Sequence, residues 1–299
     1  MGRNLTKGDG ETATLDATLA ALVREVRVSA CRLLLETPHV EASVPMLRGV
    51  WGRALHHLDR DLYNRLFIGE GPAHNRIPLY LMRPAPPDAE TAPALDLIAF
   101  NISSEDAGGL VRAWDVAQGM GVGKSRTPFR VRGLMPLTHE GVGYETDKIA
   151  LPNSWPLSIA QYPDYGKSGC RLTYTSPLRL MSRGYLIEEP SLVDIAAAAF
   201  RRLYSLGKAN KNWGYRDTAQ AVHAAAVEIP SAPWNGDRIE FVRWSGSQDR
   251  EINLHGVTGS IDLPAGLGPL ACLMGATAWT HIGKGTVFGL GGVVITPLT

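Results

Sequence analysis

The sequence has few cysteines and no long apolar run. Its 299 residues include three cysteines, Cys31, Cys170 and Cys272, which lie far apart and form no C-x-x-C pair. Neither a disulfide scaffold nor a cysteine-based zinc site is therefore supported. The longest uncharged apolar stretch, residues 267–279, contains Gly and Pro and is too short to span a bilayer. Because the amino-terminal residues also lack the apolar segment of a signal peptide, we expect a cytoplasmic protein without membrane contact.

The chain also carries little net charge, +1, with 30 Lys and Arg against 29 Asp and Glu. This balance by itself argues against a nucleic-acid partner. It hides a skew, however, because 23 of the basic residues are Arg and only 7 are Lys. Arg binds phosphate with a planar fork and stacks on bases, so the skew favours a nucleic-acid partner. A GC-rich genome, which favours Arg codons, is the alternative explanation.

A complete phosphate-binding loop is missing as well. The segment GVGKS at 121–125 would need its first glycine at residue 118, which is Gln118. A second Gly-rich turn has Lys284 followed by Gly285 instead of Ser or Thr. We therefore expect no nucleotide cofactor. Both turns are explained either as tight helix-to-strand turns or as open backbone that a phosphodiester chain can approach closely.

Residues 1–22 are expected to be a mobile leader, followed by an amino-terminal domain at 23–137. Apolar periodicity and turn residues predict the order strand, helix, two strands, helix and strand in this domain. That order is typical of a ferredoxin-like unit. The predicted strands lie at 23–36, 77–82, 95–100 and 127–134, and the predicted helices lie at 46–67 and 103–118.

The pattern repeats in a carboxy-terminal domain at 169–299, after a linker at 138–168. Both halves end with a helix, a Gly-Lys turn and a Phe, which indicates a tandem duplication. We therefore predict an α+β fold of two ferredoxin-like domains, each β-α-β-β-α-β, with a carboxy-terminal Gly-rich loop. The predicted strands of the second domain lie at 170–180, 238–244, 253–263 and 293–296, and its helices lie at 191–206 and 268–280.

Five segments, taken in order, resemble the CRISPR repeat-processing endoribonucleases of the RAMP superfamily. They lie at 47–57, 175–186, 201–207, 241–261 and 281–295. The resemblance covers most of residues 24–297 and is strongest in the carboxy-terminal half, where the Gly-rich loop is the family hallmark. This sequence lacks the Cys-rich insertion of some relatives, which points to a divergent subtype such as the type IV enzymes.

The resemblance implies an RNA-binding nuclease of antiviral defence that binds the stem-loop of a CRISPR repeat and cuts once at its base. In that family the 2′-hydroxyl attacks the adjacent phosphate without a metal, and the 5′-oxygen leaves. Many members stay bound to the mature crRNA and join an effector complex with other subunits. The sequence likewise shows no Asp/Glu/His cluster that demands a metal, and we expect no cofactor.

Such a reaction needs a base, an acid and cations beside the phosphate. The predicted helix 46–67 places Arg53, His56 and Arg60 at i, i+3 and i+7, with His57 beside them, so this face is the candidate catalytic site. A solvated polar helix face is the alternative. Because some relatives lack a catalytic His, the catalytic candidates also include Arg27 and Arg243, with Arg32 in reserve.

Candidate RNA-binding residues come from segments dense in Arg and Lys. Residues 112–132 and 171–216 are rich in basic side chains, and the second segment also carries interleaved aromatic residues that suit unpaired bases. His281 before the second Gly-rich turn either faces phosphate or is an ordinary turn residue. The RNA-binding candidates are Arg32, Arg48, Arg60, Lys124, Arg126, Arg179, Arg183, Arg201, Arg202, Lys208, Lys211, Arg250, Gly283, Lys284 and Gly285.

Two other functions fit the same features. The first is a non-catalytic RAMP subunit that only binds crRNA within an effector complex. The second is a tandem RRM-like binding protein unrelated to CRISPR, although the aromatic stacking motif of such domains is missing from the predicted central strands.

Overall fold

The computed structural model describes residues 7–36, 43–69, 77–85, 94–123, 125–143, 154–159, 165–207, 214–240, 242–245 and 250–298. The chain forms two compact units. An amino-terminal unit comprises Val26–Gln161 together with Val287–Gly289. A carboxy-terminal unit comprises Met1–Glu25, Tyr162–Thr286 and Leu290–Thr299. Every helix in the described ranges is too short or too polar to cross a membrane.

Helix α1 (Lys7–Glu25) precedes the amino-terminal unit in the chain and packs in the other unit. The amino-terminal unit is built on a sheet of order β2-β3-β1-β4-β5, with β6 on β1, and all of these pairs are antiparallel. The order of the first four strands is that of a ferredoxin-like unit. Its elements are β1 (Arg27–Glu36), α2 (Val44–Leu58), α3 (Arg60–Tyr63), β2 (Tyr80–Pro84), β3 (Ala94–Phe100), α4 (Ser104–Met120), β4 (Arg130–Thr138), β5 (Gly141–Val142) and β6 (Trp155–Pro156).

The core of the amino-terminal unit is centred on Trp51, which the helical spacing of α2 directs onto the sheet. Its ring lies 6.0 Å from that of Trp114 and 5.2 Å from that of Tyr80. The indole nitrogen of Trp51 donates a hydrogen bond to the Leu110 carbonyl at 3.0 Å, so its polar atom is satisfied inside the core. This packing fixes α2 and α4 on one face of the sheet.

Asp59 divides the helix that the sequence predicts at 46–67. Its backbone is extended, with φ −151° and ψ 95°, so α2 ends at Leu58. The Asp59 side chain accepts a hydrogen bond from the Leu62 amide at 2.9 Å and begins α3, which continues into a π-helical turn at Asn64–Ile68. The carboxylate of Asp59 therefore replaces a backbone carbonyl as the hydrogen-bond acceptor, and the helix is interrupted at this residue. The prediction of one continuous helix is wrong at this point.

The carboxy-terminal unit repeats the same architecture. Its sheet has the order β10-β13-β7-β14, which matches the order of the first four strands in the other unit. The prediction of tandem ferredoxin-like domains is therefore confirmed. Its elements are β7 (Cys170–Leu178), β8 (Met181–Ser182), β9 (Tyr185–Leu186), α5 (Leu192–Leu206), α6 (Tyr215–Glu228), β10 (Asn235–Ile239), β11 (Val242–Ser245), β12 (Arg250–Asn253), β13 (Gly256–Leu263), α7 (Ala271–Thr280) and β14 (Val293–Pro297).

Helix α1 occupies part of the chain that the sequence assigned to a mobile leader and to the start of the first strand. Its buried residues Leu15, Leu19, Leu22 and Val23 recur at helical spacing. They belong to a helix that packs against α5, α6 and α7. The first strand consequently begins at Arg27, four residues later than predicted.

Two further differences concern the second half of the chain. The predicted strand at 238–244 is divided, because β10 ends at Ile239 and residues from Val242 onward form the β11–β12 hairpin. Helix α6 was not predicted. The predicted linker also contributes to the fold, since β5 pairs with β4 and β6 pairs with β1.

Candidate functional site

The exposed face of α2 carries three of the predicted catalytic side chains. Arg53, His56 and His57 are solvent-exposed and lie within one turn of each other. The His56 ring packs edge-on against the Tyr63 ring, with centroids 5.0 Å apart. Two imidazoles and a guanidinium on one face can accept a proton, donate a proton and neutralise a phosphate. Arg60 is also exposed, but it lies beyond the end of α2 and does not continue this face by the predicted i+7 spacing.

Arg27 and Arg243, the other catalytic candidates, lie on strands. The Arg27 side chain donates to the Ser154 hydroxyl at 2.9 Å and to the Ser154 carbonyl, while remaining exposed. Arg243 lies on β11 opposite Ile252, and its side chain falls outside the described residues. Arg27 is therefore already hydrogen-bonded to Ser154. A catalytic role for Arg27 or Arg243 stays a prediction.

The second Gly-rich segment, residues 281–292, folds back on itself after α7. The Ile282 amide donates to the Gly291 carbonyl at 3.2 Å, which closes the segment into a compact turn. The Lys284 amide donates to the Arg179 carbonyl at 2.9 Å, and the Gly291 amide donates to the Pro177 carbonyl at 3.1 Å. These amides are therefore satisfied by protein carbonyls, whereas the Lys284 side chain is exposed and available to a phosphate.

Glycine is required at Gly283 by both conformation and space. Its φ is +85°, and a Cβ there would lie 2.7 Å from the Arg179 carbonyl oxygen. Gly285 has the same φ, and a Cβ there would lie 2.8 Å from the Leu290 side chain. The close neighbours of both glycines belong to the protein itself, a backbone carbonyl at Gly283 and a leucine side chain at Gly285, so the approach of a phosphodiester chain stays a prediction.

His281 is buried at the start of the Gly-rich segment. It ends α7 with φ 50° and ψ 166°, and its amide donates to the Thr277 carbonyl at 2.9 Å. Its Nδ1 lies 3.1 Å from the Leu290 carbonyl oxygen. These contacts fit a turn residue that holds the two ends of the segment together, which is one of the two roles that the sequence left open.

The first Gly-rich turn, residues 121–127, is shorter than the second Gly-rich segment. Val122 and Thr127 form a β-bridge that closes it, and Gly121 and Gly123 have φ of +68° and +73°. Arg126 is exposed with φ 50°.

The Arg48 guanidinium packs against aromatic rings. Its guanidinium carbon lies 4.7 Å from the centre of the Phe67 ring and 4.9 Å from that of Phe288. The Tyr80 ring lies at 5.8 Å. Burial raises the pKa of the Tyr80 hydroxyl, and the positive charge of Arg48 opposes this rise. These contacts support a structural role, and a contact of Arg48 with RNA stays a prediction.

Arg32 lies in a buried ion-pair row across three strands. Its Nε is 2.8 Å from one carboxylate oxygen of Asp96, and the Nε of Arg83 is 3.2 Å from the other. Asp96 is fully buried, so two guanidiniums compensate one carboxylate. Sequence reasoning missed this row, although an acid inside the apolar strand sequence LDLIAF predicts a cationic partner. An RNA contact of Arg32 stays a prediction.

Arg201 and Arg202 are neighbours on α5 but occupy different environments. Arg201 is exposed, whereas Arg202 is buried and its Nε donates to the Thr280 carbonyl at 3.2 Å. Burial lowers the pKa of Arg202 to about 10, so the group still carries its charge at neutral pH. Only Arg201 of this pair is free to reach a phosphate in the described fold.

Arg179 and Arg183 lie on either side of strand β8. Arg179 is half-buried, donates to the His255 carbonyl at 2.7 Å, and has a pKa lowered by desolvation. Arg183 is exposed at a hairpin turn. Three lysines predicted to bind RNA, Lys124, Lys208 and Lys211, lie outside the described residues, as does the side chain of Arg250 on β12.

The three cysteines are held in the thiol form by burial. Burial raises the pKa of Cys170 and of Cys272 to about 11, and it also raises the pKa of Cys31. All three thiols therefore stay protonated at neutral pH. In the described part of the chain, no group of three or more His, Cys, Asp or Glu side chains could hold a metal ion.

Residues 172–293 match the family model of the CRISPR-associated endoribonuclease Cas6. This match covers the Gly-rich segment and confirms the resemblance seen in the sequence. No curated protein matches the chain significantly.

Solved structures extend the likeness to most of the chain. A Cas6 of Thermus thermophilus, in its product complex, is 14% identical with a TM-score of 0.55, covering 91% of this chain and 99% of its own. A second Cas6 product complex is 18% identical with a TM-score of 0.52, at 91% and 99% coverage. A chain of a partial Cas6-RT-Cas1–Cas2 complex is 11% identical with a TM-score of 0.51, covering 91% of this chain and 46% of its own. These likenesses show that the chain has the fold of Cas6 proteins.

Proposed function

We propose that this relative of the Cas6 endoribonucleases cleaves CRISPR precursor RNA. The observation that carries the proposal is the family-model match over residues 172–293, which includes the Gly-rich segment. The tandem ferredoxin-like fold and the exposed Arg and His side chains on α2 support it. The substrate is the stem-loop of a CRISPR repeat, and the product is mature crRNA.

The cleavage is an internal transesterification that needs no metal. A base removes the proton from the 2′-hydroxyl, whose oxygen attacks the adjacent phosphorus. The bond to the 5′-oxygen breaks, and an acid protonates the leaving oxygen. The products are a 2′,3′-cyclic phosphate and a 5′-hydroxyl. His56 and His57 supply the base and the acid, and Arg53 stabilises the extra negative charge on the phosphate.

The exposed cations outside α2 hold the RNA. Arg60, Arg126, Arg183, Arg201 and Lys284 contact phosphates, so that binding depends on backbone shape and charge. The protein then stays bound to mature crRNA and enters an effector complex with other subunits. A non-catalytic crRNA-binding subunit is the second candidate function, because the exposed cations suit RNA binding even without cleavage.

The deciding experiment incubates purified protein with labelled CRISPR repeat RNA in EDTA. We expect cleavage at one position, and no cleavage when that position carries a 2′-deoxynucleotide. Tight binding without cleavage of any repeat RNA would favour the non-catalytic subunit, whereas cleavage that requires a divalent ion would contradict the metal-free mechanism.

Single substitutions test the assignment of residues. We expect His56→Ala, His57→Ala and Arg53→Ala each to slow single-turnover cleavage by about 100-fold or more, because each removes a proton-transfer or charge-stabilising group. His223→Ala is the matched control, since His223 is an exposed histidine on α6. If all three variants cleave at the wild-type rate, the assignment to α2 is wrong and Arg27 and Arg243 become the candidates.

A further inference from the structure

A small hairpin leaves the carboxy-terminal sheet beside the Gly-rich segment. Strands β8 and β9 pair Met181 with Leu186 and Ser182 with Tyr185. The Ile187 amide closes the base of the hairpin by donating to the Leu180 carbonyl at 2.9 Å. The preceding residue, Arg179, accepts the hydrogen bond from the Lys284 amide described above. The hairpin is therefore fixed at its base to the Gly-rich segment.

The tip of this hairpin has a defined conformation. Arg183 and Gly184 have φ of 50° and 91°, two consecutive positive values as in the tight type I′ turns that join two strands. Arg adopts this conformation less readily than Gly or Asn. A Cβ at Gly184 would meet no atom within 4 Å, so the tip stands clear of the described protein.

Tyr185 on this tip is 79% exposed, which is the highest value among the large hydrophobic side chains of the described residues. No aromatic ring of the described residues packs on it. The exposed Tyr215 on α6 differs, because its ring lies 5.4 Å from that of Phe200 and 4.8 Å from that of Tyr204. The Tyr185 side chain is thus largely exposed at the end of a short, anchored hairpin.

The surroundings of Tyr185 favour RNA over a protein partner. Its neighbours Ser182, Arg183 and Gly184 are exposed and not apolar, whereas Met181 and Leu186 of the same hairpin are half-buried. Two acids follow the hairpin. Glu188 is paired with Arg238 at 2.7 Å, and Glu189 is exposed. A single aromatic ring beside a guanidinium is suited to a nucleobase and its phosphate.

We propose that Arg183 and Tyr185 form a subsite for an unpaired nucleotide of the RNA. Tyr185 stacks on the nucleobase, and Arg183 contacts a neighbouring phosphate. This inference rests on the proposed function, because it assigns the nucleotide to the strand that flanks the repeat stem. It adds a contact with single-stranded RNA to a protein whose other assigned contacts are with phosphates.

The test measures binding of full-length protein to two repeat RNAs that carry a 2′-deoxynucleotide at the cut position. One RNA keeps unpaired nucleotides on both sides of the stem, and the other is a blunt stem-loop. We expect Tyr185→Leu to bind the flanked RNA about 5- to 100-fold more weakly and the blunt RNA with unchanged affinity. Tyr185→Phe is the matched control and keeps the wild-type affinity, because it retains the ring.

A fluorescent base gives a second measurement. With 2-aminopurine placed in the flanking strand, stacking quenches its fluorescence for wild-type protein and for Tyr185→Phe but not for Tyr185→Leu. Equal affinity of wild type and Tyr185→Leu for flanked RNA would overturn the subsite, as would an equal loss for both RNAs. Neither result would affect the proposed function, which fails if wild-type protein does not cleave repeat RNA.

Discussion

Arg201 and Arg202 show how two adjacent arginines acquire different tasks. The helix turns Arg201 toward solvent and Arg202 into the carboxy-terminal unit, where its Nε meets the last carbonyl of α7. The final carbonyls of a helix have no partner within the helix, so a buried guanidinium there acts as a cap. The charge of Arg202 is thus used inside the fold, whereas that of Arg201 is available outside it.

We predict that Arg201→Ala changes the salt dependence of RNA binding, whereas Arg202→Met changes the free energy of unfolding. Arg201→Ala removes one phosphate contact, so the slope of log affinity against log salt becomes shallower by about 0.7 to 0.9. Arg202→Met leaves that slope unchanged but lowers the free energy of unfolding by about 1 to 3 kcal/mol, because a buried carbonyl loses its donor. Salt titrations of RNA binding and urea unfolding measure the two effects, and a changed salt slope for Arg202→Met would contradict this division.

At the scale of elements, the tip of the Gly-rich segment belongs to the amino-terminal unit. A single turn of 3₁₀ helix, Thr286–Phe288, carries the buried Val287 into the hydrophobic cluster of that unit. Next to it, Phe288 lies over the Arg48 guanidinium, which also covers Phe67. A planar cation in contact with two aromatic rings therefore connects this turn with helix α2.

A double-mutant cycle tests that connection. Arg48→Met and Phe288→Ala each lower the free energy of unfolding, and the loss in the double variant is smaller than the sum of the single losses by about 0.5 to 2 kcal/mol. The difference is the energy of the cation–π pair, which both single variants remove. Additive losses in urea unfolding would show that the two side chains pack near each other without interacting.

For the whole molecule, helix α1 makes the beginning of the described chain part of the carboxy-terminal unit. Leu19 is fully buried, and α1 contacts α5, α6, α7 and the turn at Gly268–Leu270. We predict that Leu19→Ala lowers the free energy of unfolding by about 2 to 5 kcal/mol, because it leaves a cavity among these helices.

Asp16→Ala is the matched control for Leu19→Ala, since Asp16 lies on the same helix and is exposed. Its effect on the free energy of unfolding is expected to stay within about 0.5 kcal/mol. Equal urea unfolding curves for Leu19→Ala and wild type would show that α1 does not contribute to the stability of this unit.

Periodicity and capping predicted most elements of both sheets. Ser103 and Asp106 form a reciprocal capping box at the start of α4, within one residue of the helix start that the sequence predicts. Asp59 could not be recognised in the same way, because its neighbours continue the apolar spacing of a helix. Whether an Asp caps a new helix or points to solvent is decided by the tertiary position of the chain.

The candidate site was less predictable than the fold. Arg201 is exposed and Arg202 is buried, although the two are the same residue type and are adjacent in sequence. Arg32 is paired with an acid 64 residues away in the chain, a contact that depends on strand register. The positions of His56 and His57 on an exposed helix face follow from local spacing alone, so they agree with the sequence prediction.

The division of the chain between the two units has a consequence for its synthesis. Strand β7 pairs with β13 on one side and with the edge strand β14 on the other. The carboxy-terminal sheet therefore lacks one of its edge strands until Val293–Pro297 has left the ribosome. The amino-terminal unit likewise waits for Val287–Gly289, although the rest of it is translated much earlier. Helix α1 emerges before both sheets and must remain unpaired until its partner helices follow. Domains usually fold in the order of translation, but here one stretch, residues 287–297, completes both units, which couples the last step of their folding to the synthesis of that stretch.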